Sequence, residues 1–142
     1  MFLVRPSPEA PHTLWSVIAY EKFNAWRLAH ALALHIYAVS DDWPSSERYQ
    51  LTSQIRRAAL SIPTNIAEGA AKRGSREFRR YLDIANGSLA ELSYLLRFAR
   101  DRGLMSQETF DSLNQQKEHA SKMTWKLYAS LAPSGPLDRL TD

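Results

Sequence analysis

The sequence contains no cysteine, only five glycines and no long hydrophobic run. Because cysteine is missing, the chain has no disulfide, no thiolate zinc site and no cysteine nucleophile, which fits a reducing compartment such as the cytoplasm. The apolar stretch after Met1 stops at Arg5, well short of the roughly 7–15 apolar residues of a signal peptide. No segment approaches the ~20 apolar residues of a membrane-spanning helix. These absences predict a soluble cytoplasmic protein that does not contact a membrane.

Sequence motifs that carry common enzymatic chemistry are also missing. The chain has no Gly-x-Ser-x-Gly nucleophile motif, no phosphate-binding loop and no dinucleotide fingerprint. A di-metal site in a helical bundle needs a glutamate three residues before a ligating histidine on each of two helices. His30, His35 and His119 lack that glutamate, and His12 has it only within a proline-rich segment. We therefore expect no catalytic residue, no metal, no cofactor and no small-molecule substrate.

Four segments of helical period, joined by short connections, make up most of the chain. No segment has the two-residue period of a half-buried strand. Long helices joined by short loops are typical of an antiparallel up-and-down four-helix bundle, so the predicted fold class is all-α. The predicted helices cover about 25–40, 46–73, 75–102 and 106–132. The predicted domain organisation is an extended N-terminal arm at 1–20, a four-helix bundle at 21–132 and an irregular C-terminal tail at 133–142.

Individual residues predict where these helices begin, bend and end. Asn24, Ser75 and Ser106 are suitable N-cap residues for the first, third and fourth helices. Gly74 predicts a stop after the second helix, because glycine readily adopts the left-handed conformation that ends helices. Pro63 lies inside the second helix, where it removes one backbone hydrogen bond and predicts a kink.

The third helix has the clearest hydrophobic pattern. Its apolar residues recur at alternating steps of four and three, which indicates packing against helices that cross it at roughly 20°. The second helix nearly repeats this spacing from Leu51 to Gly69, and the fourth follows it weakly because Lys117 interrupts it. The positions of the third helix are Phe78, Leu82, Ala85, Leu89, Leu92, Leu96 and Ala99.

Two of the helices carry more apolar residues than one core face requires. A helix in an isolated bundle has one apolar stripe and one polar face, whereas the first helix is apolar on most sides and the third has a second apolar set. Scattered exposed apolar residues are the alternative explanation. The excess favours a homo-oligomer, in which the hypothesised interface residues are Trp26, Leu28, Leu32, Ile84, Leu95 and Phe98.

Positive charge is concentrated in one part of the chain. Eight basic and three acidic residues lie between Glu47 and Arg80, so this segment carries +5 although the whole chain carries only +3. Five of the basic residues surround the predicted turn between the second and third helices, where repetition around a ring would form a rim that binds phosphates. A solvated end of the bundle is the alternative. These hypothetical nucleic-acid-binding residues are Lys72, Arg73, Arg76, Arg79 and Arg80.

A polar stripe is predicted along the second helix, with Glu91 of the third helix as a partner. It is either a solvated face held by ion pairs or the lining of a pore or groove in an assembly. Arg56 is expected to bridge to a carboxylate such as Glu91, and Asn65 to bond a carbonyl that Pro63 leaves free. Gly87 predicts close approach of another helix, because glycine inside a helix costs about 1 kcal/mol relative to alanine. The stripe consists of Arg56, Arg57, Asn65, Glu68 and Glu91.

Residues 51–69, LTSQIRRAALSIPTNIAEG, resemble the signature of the 23S rRNA-intervening sequence protein family, small four-helix-bundle proteins encoded within bacterial 23S ribosomal RNA genes. The resemblance covers about 20–131 and includes Asp42-Trp43-Pro44, where the family usually has phenylalanine in place of Trp43. It implies a ring-like homopentamer, in a family for which no catalytic activity is established. It also implies similarity in fold to the accessory variability determinant protein of diversity-generating retroelements, which is basic and binds nucleic acid. The arm before Tyr20 is longer than the family's usual start.

Two functions are compatible with these features. The first is a non-catalytic homo-oligomeric scaffold, whose partners are other copies of the same chain. The alternative is an accessory protein that binds RNA or the ribosome through the basic rim. The doubly apolar helices favour the first function, and the uneven charge favours the second.

Overall fold

The computed structural model describes residues 19–131. Within this range the secondary structure is helical throughout, without a strand, and it comprises four long helices and three short helical turns. The long helices are α1 (Asn24–Ser40), α2 (Ser53–Ala70), α3 (Ser75–Asp101) and α4 (Gln107–Ser130). The short turns are 3-10 turns at Ala19–Lys22 and Ser45–Glu47 and a π-helical turn at Arg48–Thr52. The predicted arm up to residue 18 and the predicted tail lie outside the described residues.

Each long helix packs against two others, so that α1 and α3 both contact α2 and α4. The apolar seams predicted for the second and third helices form the centre of this arrangement. All seven positions of the α3 seam are buried, and Phe78 is the most exposed of them at 8%. The seam residues of the second predicted helix, from Leu51 in the π-helical turn to Gly69 in α2, are buried as well. The heptad spacing therefore predicted the core correctly.

Lys117 interrupts the seam of α4 because its side chain points into the protein rather than into solvent. It is only 7% exposed, and its Nζ donates a hydrogen bond to Ser93 Oγ at 3.1 Å. The ammonium group also lies 2.8 Å from a carboxylate oxygen of Glu118. A buried charge needs such partners, so Lys117 adds a polar link between α4 and α3.

The predicted N-cap residue is confirmed for one helix and wrong for two, although α1 and α3 begin within one residue of the predicted starts. Ser106 caps α4, because its Oγ accepts a hydrogen bond from the backbone N–H of Thr109 at 3.0 Å. Asn24 is instead the first residue inside α1, and its Oδ1 accepts a hydrogen bond from the Arg27 side chain. Ser75 likewise lies inside α3.

The second predicted helix is shorter than the pattern indicated. Its first residues form the 3-10 and π-helical turns, and α2 ends at Ala70 rather than at residue 73. Gly74 does separate α2 from α3, with a φ of 81° that residues with a Cβ rarely adopt. Gly74 is the last residue of the connection, directly before the first residue of α3.

Pro63 lies inside α2, as predicted, and it is buried there, while the kink at this position stays a prediction. The missing N–H of Pro63 leaves the carbonyl of Ala59 without its usual helical donor. Asn65 bonds a different carbonyl, because its Nδ2 donates to the backbone oxygen of Ser61 at 2.8 Å and to Ser61 Oγ at 3.0 Å. The predicted side-chain bond to the helix backbone is present, but its predicted acceptor was wrong.

None of the four helices in the described range combines the length and the apolar character that crossing a bilayer requires.

Candidate assembly face and basic rim

The outer side of α3 carries a second line of residues with the spacing of a helix-packing seam. Ile84, Gly87, Glu91, Tyr94 and Phe98 follow one another at steps of three and four. Each lies two positions after a core residue, which places the line about 200° around the helix from the core. The three large members are exposed, at 43% for Ile84, 63% for Tyr94 and 41% for Phe98. We call these five residues the α3 outer stripe.

A groove continues the α3 outer stripe towards the start of α2. Its volume is about 530 Å³. It is lined by aromatic rings of α3 and by polar side chains of α2 and of the two turns before α2. Glu47 and Arg102 close one part of it with an ion pair at 3.5 Å. Leu60 on α2 is 50% exposed and Tyr49 is 87% exposed. The groove is lined by Glu47, Gln50, Leu51, Gln54, Tyr94, Leu95, Phe98 and Arg102.

The six predicted interface residues fall into three groups. Ile84 and Phe98 are exposed on the α3 outer stripe. Trp26 and Leu28 are half-buried on α1. Leu32 and Leu95 are 0% and 4% exposed and belong to the core of the single chain, so they are removed from the predicted interface.

Sequence reasoning placed Leu32 and Leu95 on the wrong surface because it assigned one core face to each helix. Leu95 directly precedes the seam residue Leu96, so the core covers a wider arc of α3 than the seam alone. Tyr94 was missing from the predicted interface. The regular spacing from Ile84 to Phe98 is the sequence feature that could have identified it.

Arg56 joins α2 to the end of α1 rather than to α3. Its Nε donates to Ser40 Oγ at 2.8 Å, and its Nη2 donates to Asp41 Oδ1 at 2.8 Å and to the Tyr37 carbonyl at 3.2 Å. The guanidinium carbon also lies 4.6 Å from the centre of the Tyr37 ring. The expected partner of Arg56 within the chain, Glu91, was therefore wrong, because Asp41 takes its place.

The other charged residues of the predicted polar stripe lie at the surface. Arg57, Glu68 and Glu91 are all exposed. None of the three forms an ion pair with another residue between 19 and 131. Arg57 and Glu91 thus present opposite charges beside the exposed apolar residues of α2 and α3, a combination that suits contact with another copy of the same surface.

Four of the five predicted basic residues are exposed at the connection between α2 and α3: Lys72, Arg73, Arg76 and Arg80. Arg79 is only 6% exposed, so it is removed from the predicted basic rim. Tyr81 lies between two of the exposed cations. Lys72 Nζ is 5.6 Å and the guanidinium carbon of Arg80 is 4.8 Å from the centre of its ring. The four exposed residues form what we call the basic rim.

Two histidines on α1 make contacts that account for them without a metal. His35 Nδ1 lies 2.6 Å from Gln116 Oε1 and links α1 to α4. His30 stacks on Trp26, with ring centres 4.9 Å apart and planes 9° from parallel. Within residues 19–131, no three side chains of the kinds that bind metals are grouped closely enough to hold an ion.

Comparison with known proteins identifies the family. Residues 21–126, most of the chain, match the 23S rRNA-intervening sequence protein family. The chain belongs to this family. The match begins just before α1 and ends within α4, so it spans α1, α2, α3, most of α4 and the positions of the α3 outer stripe and the basic rim.

Solved structures agree with this membership at the level of the fold. One similar structure is a crystal structure of a protein with unknown function from the S23 ribosomal protein family of Bacteroides thetaiotaomicron. It is 20% identical, its TM-score is 0.66, and the alignment covers 73% of this chain and 97% of that chain. No curated protein matches the chain at a significant level. At this identity the similarity establishes a shared fold alone.

Proposed function

We propose that this family member is a non-catalytic scaffold, an antiparallel up-and-down four-helix bundle whose copies assemble in the cytoplasm as a ring-like homopentamer. The observation that carries the proposal is the α3 outer stripe. Its five residues follow one another at steps of three and four, the spacing with which one helix packs against another, and three of them are large, apolar and exposed. The subunit number of five follows from what the family resemblance implies.

Contacts between α2 and α3 support the antiparallel arrangement. Glu47, just before α2, pairs with Arg102, just after α3. Near the middle, Ser61 Oγ lies 2.8 Å from Ser88 Oγ, and at the other end Gly69 contacts Tyr81. The contacting position moves forward along one helix as it moves backward along the other.

The composition of the outer face supports a second copy as the occupant. The three large residues of the α3 outer stripe and Leu60 provide apolar contact area, and their exposure in a single chain is more than isolated surface residues account for. Arg57 and Glu91 carry opposite charges on this face. Neither has an ion-pair partner among the described residues of its own chain, so Arg57 of one copy can pair with Glu91 of another. Gly87 leaves room for a neighbouring helix, because no atom outside the local backbone of α3 lies within 4 Å of where its Cβ would be.

Lysine substitutions on the α3 outer stripe test this proposal. Ile84→Lys combined with Phe98→Lys places two charges in the proposed contact, where an unpaired charge is costly. We expect this variant to sediment as a single 16.2 kDa chain at micromolar concentration, while the unmodified protein sediments as an assembly. The matched control is Leu34→Lys on α1, at a residue that is 59% exposed and lies outside the stripe.

Two results would count against the assembly proposal. If the double variant retains the sedimentation coefficient of the unmodified protein, the α3 outer stripe is not the contact. If Leu34→Lys dissociates the assembly as completely as the double variant does, the effect is not specific to the α3 outer stripe, and the stripe is not established as the contact. Far-ultraviolet circular dichroism establishes whether each variant keeps its helices.

A second candidate function, binding of RNA, is favoured by the basic rim. Four exposed cations at one connection form an electrostatic footprint for phosphates. In a ring this cluster would repeat once for each copy, which increases its effective affinity for a long polyanion. The family name refers to intervening sequences of 23S ribosomal RNA, and ribosomal RNA is the corresponding proposed partner.

Titration of a fluorescent RNA at several salt concentrations tests this second function. We expect Arg73→Glu combined with Arg76→Glu to weaken binding and to reduce the slope of log K against log salt by about one for each phosphate contact that is lost. The control is Arg97→Glu, an exposed charge reversal on α3 outside the rim. Absence of binding at low salt, or an equal effect of Arg97→Glu, would exclude the rim as an RNA contact.

A further inference from the structure

The outer side of α2 carries a line of exposed residues with the same spacing as the α3 outer stripe. Arg57, Leu60 and Thr64 follow one another at steps of three and four. Each lies two positions after a buried residue, which places the line about 200° around α2 from its core side. All three are exposed, with Leu60 at 50%. We call these three residues the α2 outer face.

Contacts within the chain determine the height of the α2 outer face relative to the α3 outer stripe. Ser61 Oγ lies 2.8 Å from Ser88 Oγ, so these two residues are level with each other along the bundle. Arg57 lies four residues before Ser61, and Glu91 lies three residues after Ser88. The contacting position moves backward along α3 as it moves forward along α2. Arg57 and Glu91 therefore differ in height by about one residue, or about 1.5 Å.

The α2 outer face and the α3 outer stripe are complementary at matching heights. Arg57 carries the charge opposite to that of Glu91, and neither forms an ion pair with another residue between 19 and 131. Leu60 and Gly87 are level to within about two residues, and the space beside Gly87 is open. Leu60 of one copy therefore fits the space beside Gly87 of another. In the same register, Arg57 meets Glu91.

We propose that the α3 outer stripe of one copy packs against the α2 outer face of the next copy. This inference rests on the proposed assembly and names the surface that receives the stripe. Because the two surfaces differ, the contact is head-to-tail and every copy uses both of them. Rotation about a symmetry axis involves no movement along that axis. Copies whose bundles stand parallel to the axis therefore present Arg57 and Glu91 to each other at the same height.

The positions of α2 and α3 in the bundle agree with a contact that closes into a ring. α2 packs directly against α3, whereas α1 lies diagonally opposite α3. The outward directions of neighbouring helices in a four-helix bundle diverge by about 90°, and those of diagonal helices by about 180°. A ring of five copies needs about 108° between the two contact surfaces of each copy. A receiving surface on α1 would instead extend the copies into an open row.

α4 also packs against α3, but its charge at the corresponding height is unfavourable. Lys117 Nζ donates to Ser93 Oγ, so these two residues are level. Glu91 lies two residues before Ser93, and Glu118 lies one residue after Lys117. α4 thus carries an exposed carboxylate at the height of Glu91, and like charges repel. Trp125 of α4, which is 54% exposed, provides the comparison surface for the experiment.

Mixing of two variants tests the head-to-tail contact. Ile84→Lys combined with Phe98→Lys disables the α3 outer stripe and keeps the α2 outer face, whereas Leu60→Lys does the reverse. We expect each full-length variant alone to give single chains in native mass spectrometry. An equal mixture should give a species with one copy of each, because one intact pair of surfaces remains. Trp125→Lys is the control and should assemble as the unmodified protein does.

An exchange of charges tests the register of the contact. Arg57→Glu places two carboxylates opposite each other, and we expect it to raise the concentration at which the assembly dissociates by about tenfold. Addition of Glu91→Arg restores a pair of opposite charges, so the doubly substituted protein should assemble as tightly as the unmodified protein. Sedimentation velocity at a series of protein concentrations measures both effects.

The unmodified protein separates a failure of this inference from a failure of the proposed function. A single chain at every concentration would contradict the assembly itself. Where the unmodified protein assembles, the contact with the α2 outer face is overturned if Leu60→Lys still assembles, including as a pair joined stripe to stripe. It is also overturned if the mixture gives no mixed species, or if Trp125→Lys dissociates the assembly as completely as Leu60→Lys. The register is overturned, and the contact with it, if Glu91→Arg fails to rescue Arg57→Glu.

Discussion

Substitution of Gly69 by alanine is expected to lower the free energy of unfolding by about 1–2 kcal/mol, although helix propensity alone predicts the opposite sign. Alanine inside a helix is favoured over glycine by about 1 kcal/mol. A Cβ at Gly69 would, however, lie 2.8 Å from Tyr81 Cβ and 2.9 Å from Phe78 Cδ1. Overpacking of this kind typically lowers the free energy of unfolding by about 1–3 kcal/mol. Because Tyr81 Cβ is attached directly to the backbone, α2 and α3 must move apart.

Gly87→Ala is the matched control for this prediction. Gly87 is also inside a helix, but nothing lies within 4 Å of the position its Cβ would take. We expect Gly87→Ala to leave stability unchanged or to raise it by up to about 1 kcal/mol. Both substitutions are made in the Ile84→Lys, Phe98→Lys background, so that stability refers to separate chains. Urea denaturation followed by circular dichroism measures both, and an increase in stability for Gly69→Ala would show that the packing account is wrong.

Arg56→Ala is expected to lower the free energy of unfolding by about 2–3 kcal/mol, within the range for loss of a part-buried hydrogen-bond network. The side chain bonds Ser40, which is 3% exposed, and the Tyr37 carbonyl at the end of α1. The ion pair with Asp41 contributes little by comparison, because the Asp41 side chain is 72% exposed and such pairs are worth about 0–1 kcal/mol. Arg56 thus stabilises the contact between α1 and α2 mainly through its hydrogen bonds to α1.

Asp41→Asn separates the two contributions of Arg56. We expect it to lower stability by less than about 1 kcal/mol in the same urea experiment. Arg56→Lys should behave more like Arg56→Ala, because an ammonium group cannot reproduce the branched set of donors that reaches Ser40, Tyr37 and Asp41 together. If Asp41→Asn is as damaging as Arg56→Ala, the ion pair is the dominant contact and the assignment to α1 fails.

The core of this fold could be predicted from the sequence because a single physical pattern determines it. Every apolar position of the α3 seam from Phe78 to Ala99 is buried, since alternating steps of three and four place side chains on one side of a helix. The family resemblance was carried by a long local motif at 51–69, and the match over residues 21–126 confirms it.

The predictions that were wrong concern residues whose contacts depend on which helix lies opposite them. Arg56 was assigned to Glu91, but the turn after α1 brings Asp41 closer, and no periodicity in α2 contains that information. Gly87 and Gly69 are both glycines inside helices, yet only Gly69 lies against a neighbouring helix within the chain. Arg79 has the same charge as the other rim residues, yet it is only 6% exposed, and the charge pattern of the sequence does not distinguish it from them.

For the same reason, the sequence predicts only in part which residues belong to the candidate surfaces. The sequence indicates that α3 has apolar residues beyond one stripe, but it does not separate those that widen the core, such as Leu95, from those that remain at the surface, such as Tyr94. The two residues are adjacent, and a rotation of one position around the helix decides between them. Only the packing of α2 and α4 against α3 determines that rotation.

The central claim is that copies of this chain assemble with one another, and the mass of the unmodified protein tests it most directly. Native mass spectrometry of the full-length chain at micromolar concentration should give one dominant species that contains five copies of the 16.2 kDa chain. A defined assembly with another subunit number would retain self-association and correct the number. A single copy at every concentration measured would contradict the account.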